Sequence, residues 1–262
     1  MGEELAAIRR PFGARELSPL INENGVDHTV LIQTVSSLDE TQEFLATAAR
    51  TDFIAGVVGW VDLTNPSVGQ TLSLLKSGSG GKFLVGIRHQ VHDEVDERWL
   101  LRDDVLRGIR AVGDAGLVYD LLVRTRELPA ALALARRFAD LRFVIDHMAK
   151  PGIKTGPRDL EWEQAMSPFS ELPNVTCKLS GLVTEASWST WTQEELASYV
   201  RRAVGWFGPE RCMFGSDWPV CLLAASYEQV VQAARYSLRE LKGAEMEGVL
   251  GANAIRVYGL TV

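Results

Sequence analysis

The sequence predicts an α/β fold in which parallel strands and helices alternate and curl into a barrel. Seven short runs of apolar and β-branched residues recur along the 262 residues, with starts roughly 25 to 37 residues apart and amphipathic stretches between them. That spacing is about the length of one strand–helix–strand unit, because parallel strands need a long crossover. The pattern predicts a TIM (β/α)8-type barrel of which seven of the eight strands are evident.

The strands and helices follow one another in a regular order. The predicted strands cover residues 28–34, 53–63, 83–88, 117–123, 142–147, 175–180 and 212–217. The clearest predicted helices cover residues 14–24, 39–50, 99–114, 127–140 and 194–207. Asp39 and Thr192 are N-cap residue types, and Gly116 and Gly208 suit the ends of helices because glycine adopts a left-handed conformation easily.

One helix comes before the first evident strand. Residues 14–24 form a helical pattern that precedes the run at 28–34. We therefore expect the first barrel strand to be missing upstream, through a truncation or a misplaced start. Nothing that resembles a linker divides the chain, so we expect one domain over residues 1–262.

Composition limits the partners. The net charge is −7 and no run is rich in Lys or Arg, which argues against nucleic acid and anionic membranes. A small molecule is the expected ligand, and a homo-oligomer stays open. The three cysteines have no paired spacing, and the charged first 13 residues have no apolar core of signal-peptide length. We expect free thiols and a cytoplasmic location.

Polar residues close the apolar runs, which is where barrel enzymes place their active sites. These strand-end residues are Gln33, Asp62, Arg88, His89, Arg124, His147, Lys178, Ser180 and Asp217. Asp217 could bind a metal or deprotonate water, or it could cap the next turn. His147 could be a ligand, a proton carrier, an oxyanion donor or a structural residue. By strand alternation Asp146 points the other way and is expected to form an ion pair.

Other side chains at the strand ends are candidates for substrate binding. Arg88 and Arg124 would present guanidinium groups to a carboxylate or an oxygen-rich substrate, or would pair with acids such as Asp93, Glu94 and Glu127. Lys178 could bind a substrate oxygen or hold loops together. His89 and Trp218 are further candidates, and His92 is expected at the surface. Trp60, Trp188, Trp191 and Trp218 could form a platform for a sugar-like ring or fill the core.

Six segments in order resemble one known family. They are 57–63 (VVGWVDL), 85–89 (VGIRH), 119–124 (YDLLVR), 146–151 (DHMAKP), 178–186 (KLSGLVTEA) and 214–221 (FGSDWPVC). Together these segments span nearly the whole chain. They are similar to the amidohydrolase-related family, which consists of metal-dependent hydrolases with a TIM-barrel fold. That family includes lactonases that act on sugar lactones and on lactones from aromatic breakdown.

The resemblance implies roles for two of the strand-end residues. Asp217 would be the catalytic carboxylate, and His147 its partner in the same pocket. The family pattern also places a His-x-His or His-x-Trp sequence on the first strand, and no His-x-His occurs here. The resemblance therefore implies a divalent metal, with zinc as a candidate, bound by His147 and Asp217. These are two ligands, whereas a catalytic zinc usually has three protein ligands. A metal-free mechanism is the alternative.

The sequence thus predicts a hydrolase of a cyclic ester, acting through water activated by Asp217. Arg88, His89, Arg124, Lys178 and Trp218 would bind the substrate. Two alternatives stay open: an amidase or decarboxylase on the same barrel, and a catalytically impaired binding or scaffold protein.

Overall fold

Seven parallel strands form one sheet whose spatial order is the order of the sequence. The computed structural model describes residues 3–262, with residues 3 and 4 described by their backbone alone. The strands are β1 (Thr29–Ile32), β2 (Ile54–Gly59), β3 (Leu84–His89), β4 (Val118–Leu121), β5 (Phe143–Ile145), β6 (Val175–Leu179) and β7 (Cys212–Phe214). The predicted barrel fold with seven evident strands is confirmed.

Helices follow the strands and cover the outside of the curled sheet. They are α1 (Ala14–Glu23), α2 (Leu38–Ala48), α3 (Val68–Ser77), α4 (Asp103–Asp114), α5 (Leu128–Arg137), α6 (Leu160–Met166), α7 (Leu182–Glu185), α8 (Gln193–Phe207), α9 (Tyr227–Ser237), α10 (Ala244–Glu247) and α11 (Asn253–Tyr258). In α4, for example, Val105, Ile109 and Val112 recur at helical spacing and are fully or almost fully buried against the sheet. No helix in residues 3–262 is long and apolar enough to cross a membrane.

The N-cap residues of two helices show how well the local sequence predicts where a helix begins. Thr192 caps α8 in a reciprocal arrangement with Glu195, as its sequence predicts. The prediction of Asp39 as the cap of α2 is wrong, because the Ser37 side chain accepts the N–H of Glu40 instead. Both residues are good cap types, and the chain leaves its extended conformation at Ser37.

A second, smaller apolar core lies inside the curl of the sheet. Val58, Val118, Val144 and Met213 point inward from four strands, and Tyr258 of α11 packs against them. The C-terminal helix therefore contributes side chains to the inner core, whereas the larger core lies between the sheet and the outer helices.

The sheet has an opening between its first and last strands, which we call the seam. Within residues 3–262, neither β1 nor β7 has a hydrogen-bonded strand on its outer side. A cavity of about 270 Å³ lies there, lined by Thr29 of β1 and by Phe214 and Gly215 at the end of β7, among others. Helix α1 lies alongside, because its Ile21 packs against Tyr227 and Val231 of α9.

Candidate active site

The carboxyl ends of the strands form the mouth of the barrel, and β5 leads there into an unusual turn. Residues His147, Met148, Ala149 and Lys150 have φ angles of 51°, 52°, 58° and 54°. A left-handed conformation costs an L-residue about 1–2 kcal/mol, so four in succession need support from their surroundings. The Met148 carbonyl accepts a bond from the Trp162 indole at 2.6 Å, and the Lys150 N–H donates to the His147 carbonyl at 2.8 Å. Backbone strain of this kind is typical of functional sites.

Asp217, just beyond β7, is also left-handed, with φ 56°. Its Oδ1 lies 3.7 Å from Nε2 of His147, and the two side chains are 17% and 11% exposed. The following turn, Val220–Leu223, has no side-chain cap, so the structure does not use Asp217 in the alternative role of a cap. The two residues that the sequence placed at the ends of distant strands therefore meet in one partly open site.

The imidazole of His147 is held on two sides. Its Nδ1 lies 2.9 Å from Oγ of Ser180, and a Cβ on the next residue, Gly181, would come within 2.7 Å of that nitrogen. Burial lowers the pKa of His147, although the Asp217 and Asp146 carboxylates act in the opposite direction. His147 is therefore a neutral ring at pH 7, with Nε2 directed toward Asp217.

Beneath this pair lies a buried network of charges inside the barrel. Arg88 donates to Asp146 at 2.7 Å, and Lys178 donates to Asp146 and, at 2.8 Å, to Asp120. The Tyr258 hydroxyl donates to the same oxygen of Asp120 at 2.7 Å. The expected ion pair of Asp146 is thus present, with two cations that balance the two carboxylates.

Burial and the neighbouring charges shift the pKa values of the groups in this network. Burial alone would raise the pKa of Asp146, but the neighbouring Lys178 and Arg88 cations hold it well below its usual range. Burial likewise opposes the charge of Lys178, and Asp120 and Asp146 raise its pKa well above the ordinary value. Asp146 and Lys178 remain charged because they are paired, whereas burial raises the pKa of Asp120 despite its bond to Lys178.

Arg88 and Lys178 are therefore engaged within the protein. Arg88 is 9% exposed and also donates to the side chain and the carbonyl of Gln33. Of the alternatives that the sequence left open for Arg88, pairing is what the structure has, but with Asp146 instead of Asp93 or Glu94. Lys178 is 7% exposed. Direct binding of substrate by either residue stays a prediction.

His89 is also held by neighbours. Its Nδ1 accepts the indole N–H of Trp60 at 3.0 Å, so its Nε2 carries the proton and donates to Glu94 at 2.7 Å. The ring stacks on Trp99 with centroids 4.3 Å apart. Its role in substrate binding stays a prediction.

The expectation that His92 is a surface residue is wrong, because its side chain is 14% exposed and its Nδ1 is buried without a partner among the described residues.

The remaining predicted substrate-binding residues are Arg124, whose side chain is exposed, and Trp218, whose indole N–H is buried. The Arg124 side chain is exposed and has no ion pair within residues 3–262, while its backbone N–H donates to Glu127. The Trp218 indole N–H is buried without a described partner, and its ring meets the edge of Phe12 at 5.3 Å. Trp188 and Trp191 donate to nearby carbonyls, as residues that hold loops do. Asp62 binds Thr64 within its own turn.

Three residues at or below the mouth had no role predicted from the sequence. Lys150 pairs with Glu185 at 2.9 Å, and Tyr258 anchors α11 to Asp120. Lys150 and Glu185 stand in two of the six segments that carry the family resemblance, so a signal was present for them. Nothing in the sequence near Tyr258 indicates that the C-terminal helix returns to the barrel interior.

A metal ion at this site would need its ligands from the side chains around His147 and Asp217. His147 and Asp217 converge, but no group of three His, Cys, Asp or Glu residues in the described range could hold a metal. A catalytic zinc usually has three protein ligands and a water. The described residues therefore do not fit a catalytic zinc, and we derive no step through one.

The fold is that of a barrel whose strands all end at one mouth, which is where enzymes of this fold place their active sites. Residues 2–260 match the amidohydrolase family, and the chain belongs to it. A curated L-fucono-1,5-lactonase from Burkholderia ambifaria is 43% identical over 226 residues, which are 86% of this chain and 76% of that protein. An L-fucono-1,5-lactonase from Burkholderia multivorans is 36% identical over 270 residues, 99% of this chain and 90% of that protein.

Solved structures show the same relationship. An amidohydrolase from Burkholderia multivorans with bound HEPES superposes with a TM-score of 0.93 at 35% identity, covering 99% of this chain and 93% of that one. A second crystal form from that organism, 34% identical with the same TM-score and coverage, contains zinc. The predictions of an amidohydrolase-type barrel and of a hydrolase are confirmed.

Proposed function

We propose that this protein hydrolyses the lactone of a sugar acid. The observation that carries the proposal is the contact between Asp217 Oδ1 and His147 Nε2, 3.7 Å apart at the mouth of the barrel. A carboxylate beside a neutral imidazole can activate a water molecule and polarise a carbonyl in the same site. The curated lactonases at 43% and 36% identity support a cyclic ester as the substrate.

The geometry suggests how the two groups share the reaction. The separation of 3.7 Å is too long for a direct hydrogen bond, so both atoms remain available to a third molecule. In the proposed reaction Asp217 takes a proton from water as its oxygen attacks the lactone carbonyl carbon. His147, neutral at pH 7 because burial lowers its pKa, donates a hydrogen bond to the substrate from Nε2.

The remaining steps restore the enzyme. The tetrahedral adduct collapses with cleavage of the bond between the carbonyl carbon and the ring oxygen. The protonated Asp217 then gives its proton to the departing ring oxygen, which becomes a hydroxyl group. The product is an open-chain hydroxy acid, and both side chains return to their starting states.

The test is hydrolysis of a panel of aldonolactones, with L-fucono-1,5-lactone first, followed by acid release with a pH indicator. We expect Asp217→Asn to lower kcat by about 10²- to 10⁴-fold, the usual contribution of a general base. Asp62→Asn is the matched control, because Asp62 is also a strand-end carboxylate but bonds only within its own turn. Full activity in Asp217→Asn would contradict the mechanism.

A further inference from the structure

Lys150 stands at the end of the left-handed turn that carries His147. Its N–H donates to the His147 carbonyl at 2.8 Å, which closes the turn between residues three apart. In a turn closed in this way, the first and fourth side chains leave on the same side, and the mirror-image turn shares this property. The side chain of Lys150 therefore leaves the turn on the same side as that of His147. Burial is the main cause of the lowered pKa of His147 and of His92, and the positive charge of Lys150 acts in the same direction on both.

The ammonium group of Lys150 is held in place but not saturated. Its described ion-pair partner is Glu185, at 2.9 Å, and each side chain is 18% exposed. An ammonium group has three N–H donors, and the hydrogen bond to Glu185 uses one. The other two donors have no partner among residues 3–262, and the partly exposed side chain leaves them accessible.

The same structural unit positions Lys150 and His147. Glu185 ends the short helix α7, which follows Gly181, the residue on which the imidazole packs. The other cations of the barrel centre differ, because Arg88 and Lys178 are bonded to buried carboxylates. Lys150 is thus a cation on the turn that carries His147, and it retains hydrogen-bonding capacity.

We propose that Lys150 binds the carbonyl oxygen of the substrate lactone and then the carboxylate of the product, and that Glu185 is its positioning residue. The catalytic part of this inference rests on the proposed lactone hydrolysis. Negative charge develops on the carbonyl oxygen when water attacks, and a fixed cation stabilises that charge. The product keeps the charge as a carboxylate, so the same contact recognises it.

The first experiment measures binding and does not depend on turnover. Calorimetry compares L-fuconate, an open-chain hydroxy acid, with L-fucitol, which has a neutral hydroxymethyl group in place of the carboxylate. The wild-type protein is expected to bind L-fuconate more tightly. Lys150→Met is expected to weaken L-fuconate binding by about 10- to 100-fold, the loss of one charge-assisted bond, with little change for L-fucitol.

Two variants make this comparison specific. Lys154→Met removes an exposed lysine four residues further along and is expected to bind as the wild type does. Lys150→Arg retains the charge and is expected to recover most of the affinity for L-fuconate. Thermal unfolding is recorded for each variant, and Lys150→Gln replaces Lys150→Met if the latter does not fold. Wild-type affinity for L-fuconate in a folded variant without the charge would overturn the proposal.

The second experiment is kinetic. Lys150→Met is expected to lower kcat for the lactone by about 10²- to 10³-fold, the effect of removing one oxyanion donor. Glu185→Gln is expected to lower kcat less and to leave KM nearly unchanged, since it loosens Lys150 without removing its charge. An unchanged kcat in Lys150→Met would overturn the catalytic role. If the wild-type protein hydrolyses no lactone, the proposed function fails, while loss of L-fuconate binding in Lys150→Met still supports the anion contact.

Discussion

Gly181 illustrates how a single missing Cβ positions the imidazole of His147. Its φ is +68°, and an added Cβ would lie 2.7 Å from Nδ1 and 2.9 Å from Cγ of that ring. Both the backbone conformation and the space therefore require glycine. Any side chain here would push the ring away from Ser180 and change its distance to Asp217.

We predict that Gly181→Ala lowers both stability and activity. The left-handed conformation alone costs an alanine about 1 kcal/mol, and the displaced imidazole disrupts the reacting pair. Gly205→Ala is the matched control, because Gly205 is exposed within α8 and nothing lies within 4 Å of its added Cβ. That control is expected to gain about 0.5–1 kcal/mol of stability at unchanged activity. Urea unfolding and lactone hydrolysis measure the two effects, and equal behaviour of the two variants would contradict the prediction.

The lowered pKa of His147 predicts a pH dependence of stability. As the pH falls through about 6.5, the unfolded chain takes up a proton at this residue before the folded chain does. The free energy of unfolding therefore decreases below pH 6.5 and levels off below the folded-state pKa. Comparison of pH 7.5 with pH 5.5 in chelator-containing buffer should show a smaller loss for His147→Asn than for the wild type. His28→Asn, which changes an exposed histidine, should lose as much as the wild type does.

For individual residues, the sequence predicted which side chains lie at the mouth of the barrel better than it predicted their backbone conformations. The meeting of Asp217 and His147 could be predicted because polar residues close apolar runs, and in a parallel barrel all such ends meet at one mouth. The left-handed turn at residues 147–150 could not be predicted, because it contains no glycine and only its contacts stabilise it. His92 was misplaced for a related reason, since burial in a loop depends on packing that local sequence does not encode.

Among the secondary-structure elements, α11 has the least expected role. This six-residue helix delivers Tyr258 to Asp120 inside the barrel, and through Lys178 that carboxylate is connected to Asp146, the neighbour of His147. Tyr258 is 5% exposed, and burial together with the Asp120 charge raises its pKa well above the ordinary value. The hydroxyl therefore remains a donor at all ordinary pH values.

We predict that Tyr258→Phe destabilises the protein by about 1–3 kcal/mol, because it leaves Asp120 with one bonding partner fewer in a buried setting. The other oxygen of Asp120 already has no described partner. Tyr236→Phe removes an exposed hydrogen bond to Glu194 and should change stability by less than about 0.5 kcal/mol. Denaturant unfolding of both variants makes the comparison, and equal small losses would show that the buried network contributes little.

The strand pairing explains why the partner of Arg88 was missed. The register between β2 and β3 shifts between Val57 and Val58, so simple alternation along β3 does not hold. Val85 packs in the inner core, and a Cβ on Gly86 would also meet the inner residues Val58 and Val118. Beyond this irregularity Arg88 turns inward, where Asp146 lies. Sequence patterns predict a strand but not a one-residue irregularity within it.

For the molecule as a whole, the seam predicts uneven protection of the backbone. Thr29 donates its N–H to Phe53, just before β2, and Gln33 donates to Val58 of β2, so by alternation the N–H groups of Val30 and Ile32 point into the seam. Their amides should exchange with solvent deuterium faster than those of the central strand β4, which pairs on both sides. Hydrogen exchange followed by NMR measures this order, and equal protection of β1 and β4 would mean that the seam is closed in solution.

The three cysteines are a second property of the whole fold. All are buried and free, as their lack of paired spacing predicted. Burial raises the pKa of Cys212 and of Cys221 to about 12, and it raises that of Cys177 as well. These thiols are therefore inert in the folded protein and serve as packing residues.

The seam also affects how heat would act on this molecule. Asp217 follows β7, which is bonded laterally to β6 alone through three residue pairs, whereas His147 follows β5, which is bonded on both sides. Asp217 thus follows a strand at the edge of the sheet, whereas His147 follows a strand with hydrogen-bonded neighbours on both sides. Fluctuations that loosen the edge would change the spacing of the reacting atoms before the sheet as a whole melts. The proposed activity is then the property most sensitive to warming, and it would decline while most of the fold is still intact.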